Sequence, residues 1–168
     1  GLLANFAAGA FLIVLRPFKV GDFVSAAGVT GTIKEIGLFA TQITTPDNVL
    51  CVVGNTKIFA DTIQNYTANP YRRVDLKAQL AGSVDHQAAI DLLKLEMAKI
   101  PNVMSNPAPE ANIIEFTLVG PVLAVRPYCH NDHYWQVYFD TNQLIREALG
   151  KAGFPAPMPA QTIYVHNQ

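Results

Sequence analysis

Cys129, His130, Asp132 and His133 fall together in the stretch CHNDH, the densest run of chemically able side chains in the sequence. Thiolate, imidazole and carboxylate are the donors of a zinc site, and a thiol beside an imidazole is the raw material of a nucleophile. Zinc sites usually draw on two such clusters, however, and no second C-x-x-C or H-x-x-x-H occurs. A nucleophile also needs an orienting third group and a pocket, which neighbouring positions in sequence do not supply. The stretch therefore reads as a loop between a strand and a helix, with Asp132 as helix cap. No metal, cofactor or catalytic residue is assigned.

The next candidates are cations. Arg72-Arg73 and Arg126 could attract anions, or form salt bridges at a domain edge. Tyr134, Trp135, Tyr138 and Phe139 cover one helix face and read as core packing against a sheet. Base stacking would need a basic surplus beside them, and twelve basic against thirteen acidic residues leave a net charge of −1. Residues 1–69 carry four of each sign and residues 70–168 carry eight basic and nine acidic, so no basic half is hidden. The charge balance argues against a dedicated nucleic-acid binder. Cys51 and Cys129 form no spaced framework, which points to a reducing, cytosolic environment for most of the chain.

Positioning these residues falls to an unusual chain. Half of it is hydrophobic and only 15% is charged. Residues 1–15, GLLANFAAGAFLIVL, contain no charge and end at Arg16-Pro17. A secretory leader would need a basic region before the apolar run, and none is present. Two readings remain: a buried core helix, since fifteen residues fall short of the roughly twenty that cross a bilayer, or the lower part of a membrane-spanning helix. At 100° per residue Gly1, Ala4, Asn5, Ala8 and Gly9 share a face, and small residues so spaced let membrane helices approach closely. Gly9 marks a bend or a close contact. Pro17 biases Arg16 toward extended geometry and ends the helix, and Arg16 and Lys19 stand where cytoplasmic charges are expected.

From Asp22 to Phe59, short β patterns separated by Gly28, Gly31, Gly37, Pro46-Asp47-Asn48 and Gly54 predict a small curved sheet or barrel. Val29, Gly31, Ile33 and Glu35 alternate with Thr30, Thr32, Lys34 and Ile36 as one half-buried strand. After Pro70, YRRVDLKAQLAG reads as a strand and DHQAAIDLLKLEMAKI as a helix capped by Asp85. NIIEFTLVGPVLAVRPY reads as two strands around Gly120-Pro121, and HYWQVYFDTNQLIREALGKAGF as a helix with Gly153 at its C′ position. The sum is β-α-β-β-α, a split ferredoxin-like layer with both helices on one face. The Pro-rich FPAPMPAQ leads to a last short strand, TIYVHN.

NFAAGAFLIVLRPFKVGDFV, followed by GVTGTIKEIGLFATQITTPDNVLCVVGNTKI, resembles the small-conductance mechanosensitive channel family. The shared pattern is a Gly/Ala-rich helix, then R-P-F-x-x-G-D/E-x-V, then G-x-x-G-x-V/I, then T-x-D-x-x-x-x-x-P-N-x-x-I. Asn5, Ala7, Ala8, Gly9, Arg16, Pro17, Phe18, Gly21, Asp22, Val24, Gly28, Gly31, Ile33, Asp47, Asn55 and Ile58 match it. The family's Pro-Asn-Gly turn stands here as Gly54-Asn55-Thr56, which keeps turn chemistry.

The resemblance implies an α+β fold in four parts. These are the C-terminal half of a pore helix (1–17), an Sm-like β domain (18–70), an α+β domain (71–155), and a linker with a terminal barrel-forming strand (156–168). It implies that earlier membrane helices lie upstream of Gly1. It further implies a homoheptamer in the bacterial inner membrane, with residues after about 16 on the cytoplasmic side. Such an assembly opens a weakly selective pore for ions and small solutes when membrane tension rises. On that reading Ala4 and Ala8 slide between pore helices, and Gly1 and Gly9 are hinges. Arg16, Pro17, Phe18, Lys19, Gly21 and Asp22 form the membrane-face junction, and Arg72 and Arg73 bias ion traffic. No reaction or cofactor is required, and the partners are copies of the chain and the bilayer. The rival reading is a soluble Sm-like module that binds RNA or protein and whose first helix is simply core.

Overall fold

The computed structural model describes all 168 residues, in two compact units, Gly1–Pro70 and Tyr71–Gln168. The first unit begins with α1 (Leu2–Leu15), followed by β1 (Phe23–Ala26), β2 (Val29–Ile36), β3 (Ala40–Thr44), β4 (Leu50–Gly54), the short α2 (Asn55–Phe59) and β5 (Gln64–Asn65). The strands form one antiparallel sheet in the order β4-β3-β2-β1-β5. A two-residue loop, Ala27-Gly28, joins β1 to β2 with both φ angles positive, the backbone that matches the twist of a tight hairpin. Inward-facing Val24, Ala26, Ile33, Ile43 and Val53 close the core with Leu12, Phe18 and Ile58.

Sequence alternation in β2 holds only as far as Ile33. The register against β3 shifts between Ile33 and Glu35, so Lys34 and Glu35 both point to solvent and Ile36 turns partly inward. A bulge of this kind inserts one residue and reverses the side-chain faces beyond it. Pro17 does stop α1, but Arg16 is left-handed rather than extended, with φ 47° and ψ 58°. Its N–H still donates to Leu12 O at 3.1 Å, so the chain turns back at once instead of running outward. Gly54-Asn55-Thr56 is not a positive-φ turn. Gly54 is extended (φ −57°, ψ 136°) and Asn55 opens α2.

The second unit contains β6 (Arg72–Arg73), β7 (Leu76–Gln79), α3 (His86–Met97), β8 (Glu110–Phe116), β9 (Pro121–Arg126), β10 (Tyr128–Cys129) and α4 (Tyr134–Lys151), the last preceded by a 3-10 turn over Asn131–His133. β9 lies between β7 and β8, antiparallel to both, which is the split β-α-β arrangement. β6 and β10 form a separate two-stranded ribbon, so the predicted single strand 71–82 is interrupted at Val74-Asp75. Leu76, Ala78, Leu80, Leu123 and Val125 meet Ala89, Leu93 and Met97 of α3 and Val137 of α4 in the core.

Caps fix both helices. Asp85 Oδ1 accepts from the N–H groups of Gln87 (3.0 Å) and Ala88 (3.2 Å), satisfying donors that α3 leaves open. At the end of α4, Gly153 has φ 82°; its N–H donates to Gly150 O and that of Phe154 to Leu149 O. The paired bonds are those of a Schellman cap, and Phe154 packs on the core beyond it.

Residues 155–168 form neither helix nor strand and are exposed. The expected strand TIYVHN is therefore absent: with no neighbouring strand in this chain to accept its ladder bonds, an isolated extended segment has nothing to hold it.

Candidate functional site: the seat of helix α1

α1 packs within its own unit, chiefly on α2 and the segment between β2 and β3, and Ala8, Gly9 and Leu12 are its only buried members. Gly9 makes the closest approach. A Cβ there would lie 2.4 Å from Leu38 O and 2.6 Å from Asn55 Nδ2, closer than any side chain tolerates. The helix runs unbroken through Gly9, so of the two expectations there, a bend or a close contact, the structure shows the close contact and no bend. Ala8 differs from expectation too: only 7% exposed, it is covered by its own chain, whereas Ala4 is open. The small-residue face thus divides, since Asn5, Ala8 and Gly9 turn to the β unit while Gly1 and Ala4 do not.

A polar network holds this seat. Asn5 Oδ1 accepts from the Thr56 N–H at 2.9 Å and from the Thr56 hydroxyl. Asn55, fully buried, donates from Nδ2 to Gly37 O (2.9 Å) and to Asn5 O (3.5 Å), and its Oδ1 accepts from the buried Thr41 hydroxyl at 2.9 Å. Phe6 meets Phe39 and Phe11 meets Phe59 on either side, with ring centroids 6.1 and 6.3 Å apart.

The junction after α1 is equally fixed. Phe18 is buried, and Asp22 Oδ2 accepts from the Lys19 N–H (3.0 Å) and from Asn65 Nδ2 (2.9 Å). The same Asn65 nitrogen donates to Pro17 O at 3.1 Å. Gly21, with φ 95°, donates its N–H to Ile33 O, and Asp22 O accepts from the Ile33 N–H. Arg16 and Lys19 extend into solvent. The structure thus brings Pro17, Phe18, Lys19, Gly21 and Asp22 together, and adds Asn65, Thr41 and Thr56, which sequence reasoning missed. Asn65 lies 43 residues from Asp22, and a lone Asn at that separation carries no local signal.

Against this geometry stand the comparisons with known proteins. A family model described as "Mechanosensitive ion channel, beta-domain" matches residues 1–68. A second, "Mechanosensitive ion channel MscS, C-terminal", matches residues 74–155. The chain belongs to the small-conductance mechanosensitive channel family.

Among its relatives, the small-conductance mechanosensitive channel of Edwardsiella ictaluri is 32% identical over 166 residues, which is 99% of this chain and 58% of that protein. The small-conductance channel MscMJ of Methanocaldococcus jannaschii is 26% identical, over 97% of this chain and 48% of its own length. The fold is that of Helicobacter pylori MscS in its closed state, with a TM-score of 0.88 at 23% identity over 99% of this chain and 66% of that one. Arabidopsis thaliana MSL1 shares it with a TM-score of 0.74 at 18% identity, over 90% of this chain and 57% of that one. The chain spans 58% of the Edwardsiella relative's length, and no helix in it is long and apolar enough to cross a membrane. Family membership displaces the RNA-binding alternative.

The remaining candidates of this family member lie in the second unit. Arg73 grips Asp75 with two bonds (Nε at 2.6 Å, Nη2 at 3.2 Å), and Arg126 Nε lies 3.5 Å from the same carboxylate. Arg72 donates to Asn131 Oδ1 at 2.8 Å, with its guanidinium carbon 4.0 Å from the centre of the Tyr134 ring. In CHNDH the cap is His130 and not Asp132: His130 Nδ1 accepts from the Asp132 N–H at 3.1 Å. A ring nitrogen two residues back reaches the open donor that Asp132, already inside the 3-10 turn, cannot. Cys129 is buried, and burial raises its thiol pKa against a smaller pull downward from Arg72. No group of three or more His, Cys, Asp or Glu side chains converges anywhere. The aromatic run is divided as well. Tyr134 and Tyr138 join the core, while Trp135 (56% exposed) and Phe139 (62%) stack on each other at the surface.

Proposed function

We propose that this chain is part of a channel subunit that opens a weakly selective pore to ions and small solutes when membrane tension rises. The observation that carries the reading is the outer face of α1. Leu2, Leu3, Ile13, Val14 and Leu15 are all 47% exposed or more, on a helix with no charged residue. So much apolar surface needs a cover, and lipid and copies of the same helix are the covers a pore provides.

On this reading the chain assembles as a homoheptamer, with α1 next to the pore and residues after about 16 on the cytoplasmic side of a cell membrane. Ala4, open and small, lets neighbouring helices slide. Ala8 and Gly9 instead seat the helix on the β unit. Gly1 is the remaining point where the helix can swing. The exposed Trp135 and Phe139 suit a contact between copies, and Arg72 and Arg73 bias which ions approach. Tension favours whichever state occupies more membrane area, so the chemistry required is packing and hydration alone.

Patch-clamp recording from the full-length protein in liposomes tests this. Stepped suction should open discrete currents with little preference between K⁺ and Cl⁻, and Ala4→Leu should shift the tension midpoint. Unchanged gating in Ala4→Leu would remove Ala4 from the mechanism, and an absence of tension-dependent current would overturn the reading itself.

A further inference from the structure

The fold buries four polar side chains, Asp22, Thr41, Asn55 and Thr141. Two of them, Thr41 and Asn55, are bonded to each other, and the pair sits under the point where α1 comes closest to the β unit. Asn55 has one orientation open to it. Its Nδ2 faces two carbonyl oxygens, Gly37 O and Asn5 O, so turning the carboxamide over would set oxygen against oxygen. The Thr41 hydroxyl, donating to Oδ1, satisfies the other end. Asn55 in turn forms part of the wall that Gly9 touches, with Leu38 O forming the rest.

We propose that Thr41, acting through Asn55, is a positioning residue that sets where α1 rests on the β unit. The inference rests on the reading of α1 as the pore helix only for its consequence in gating; the seat itself is a property of this unit. Close-packed contacts transmit small shifts because they have no slack. Backbone meets backbone at Gly9 and Leu38, so a change in the tilt of Asn55 is felt by the helix. Removing the Thr41 hydroxyl leaves Asn55 Oδ1 buried without a donor and weakens the hold on Asn5 O. Thr41 itself touches no residue of α1 by hydrogen bond, which is why the effect must pass through Asn55.

The test is amide hydrogen exchange on the full-length channel in detergent, comparing residues 8–12 of α1 with residues 29–36 of β2. Thr41→Val, which keeps the shape and removes the hydroxyl, should speed exchange in α1 about tenfold while β2 is unchanged, and Thr41→Ser should restore the slow rate. Gly9→Ala, which pushes the helix off Leu38 O with Thr41 intact, should give the same pattern and serves if Thr41→Val does not fold. Exchange in α1 that ignores Thr41→Val, or that rises equally in β2, would overturn the proposal, the second outcome marking Thr41 as ordinary core. The exchange result stands whether or not the wild-type protein conducts under tension, so a failed seat and a failed channel are separate findings.

Discussion

The two units bury their apolar surface in opposite ways. In residues 71–168 three strands and two helices enclose Leu76, Leu93, Leu123, Val125 and Val137, and the large apolar side chains left outside, Leu95, Phe116, Leu118, Trp135 and Phe139, are spread over several elements rather than along one helix. In residues 1–70 a comparable core is complete under the sheet, yet the helix on top keeps only three residues inside and leaves its long apolar side chains out. On the proposed function, the difference marks the outer face of α1 as the surface that lipid and copies of the chain cover. Of the first unit's buried polar side chains, Thr41 and Asn55 lie under that helix, while Asp22 ties the junction after it to β5.

Substitutions in each unit should separate these roles. Leu123→Ala, deep in the second core, should cost the most, about 3 kcal/mol in chemical denaturation followed by the fluorescence of Trp135, the sole tryptophan. A cost under about 1 kcal/mol would mean that this core is looser than it looks. Gly9→Val comes next, at about 2 kcal/mol, because the new side chain overlaps Leu38 O. Its signature is the release of α1, read by faster proteolysis within residues 2–15. A protected α1 in that variant would dissolve the contrast between the units. Asp85→Ala should remove about 1 kcal/mol by uncapping α3.

Legibility follows the same divide. The caps Asp85 and Gly153 and the strands β8 and β9 could be read directly, because a cap, a period of 3.6 and a Gly-Pro turn are local signals. The R-P-F-x-x-G-D block could be read for the same reason, and it located the junction. What could not be read depends on distant partners. Asn65 reaches Asp22 across 43 positions, Thr41 meets Asn55 across 14, and the bulge after Ile33 is set by how β3 pairs. The aromatic run misled for a related reason: i, i+1, i+4, i+5 spacing fits one face, but the sheet covers only Tyr134 and Tyr138. TIYVHN has strand-forming residues, but no strand of this chain pairs with it.

A smaller effect sharpens the comparison from the other side. Arg73→Ala breaks a two-bond ion pair with Asp75 that is half exposed on both partners, so stability should fall by less than about 0.5 kcal/mol. On the proposed function its signature lies instead in the reversal potential under a KCl gradient, which should move toward cation preference. A stability loss larger than a capping residue's, with permeability unchanged, would make Arg73 a structural residue.

The most direct test of the claim that α1 is finished by copies of itself is the absolute mass of the full-length protein in mild detergent, by native mass spectrometry. The account predicts a single heptameric species, which Trp135→Glu with Phe139→Glu should weaken. A stable monomer that keeps residues 2–15 protected from proteolysis would contradict it, because the apolar face of α1 would then be covered without any neighbour.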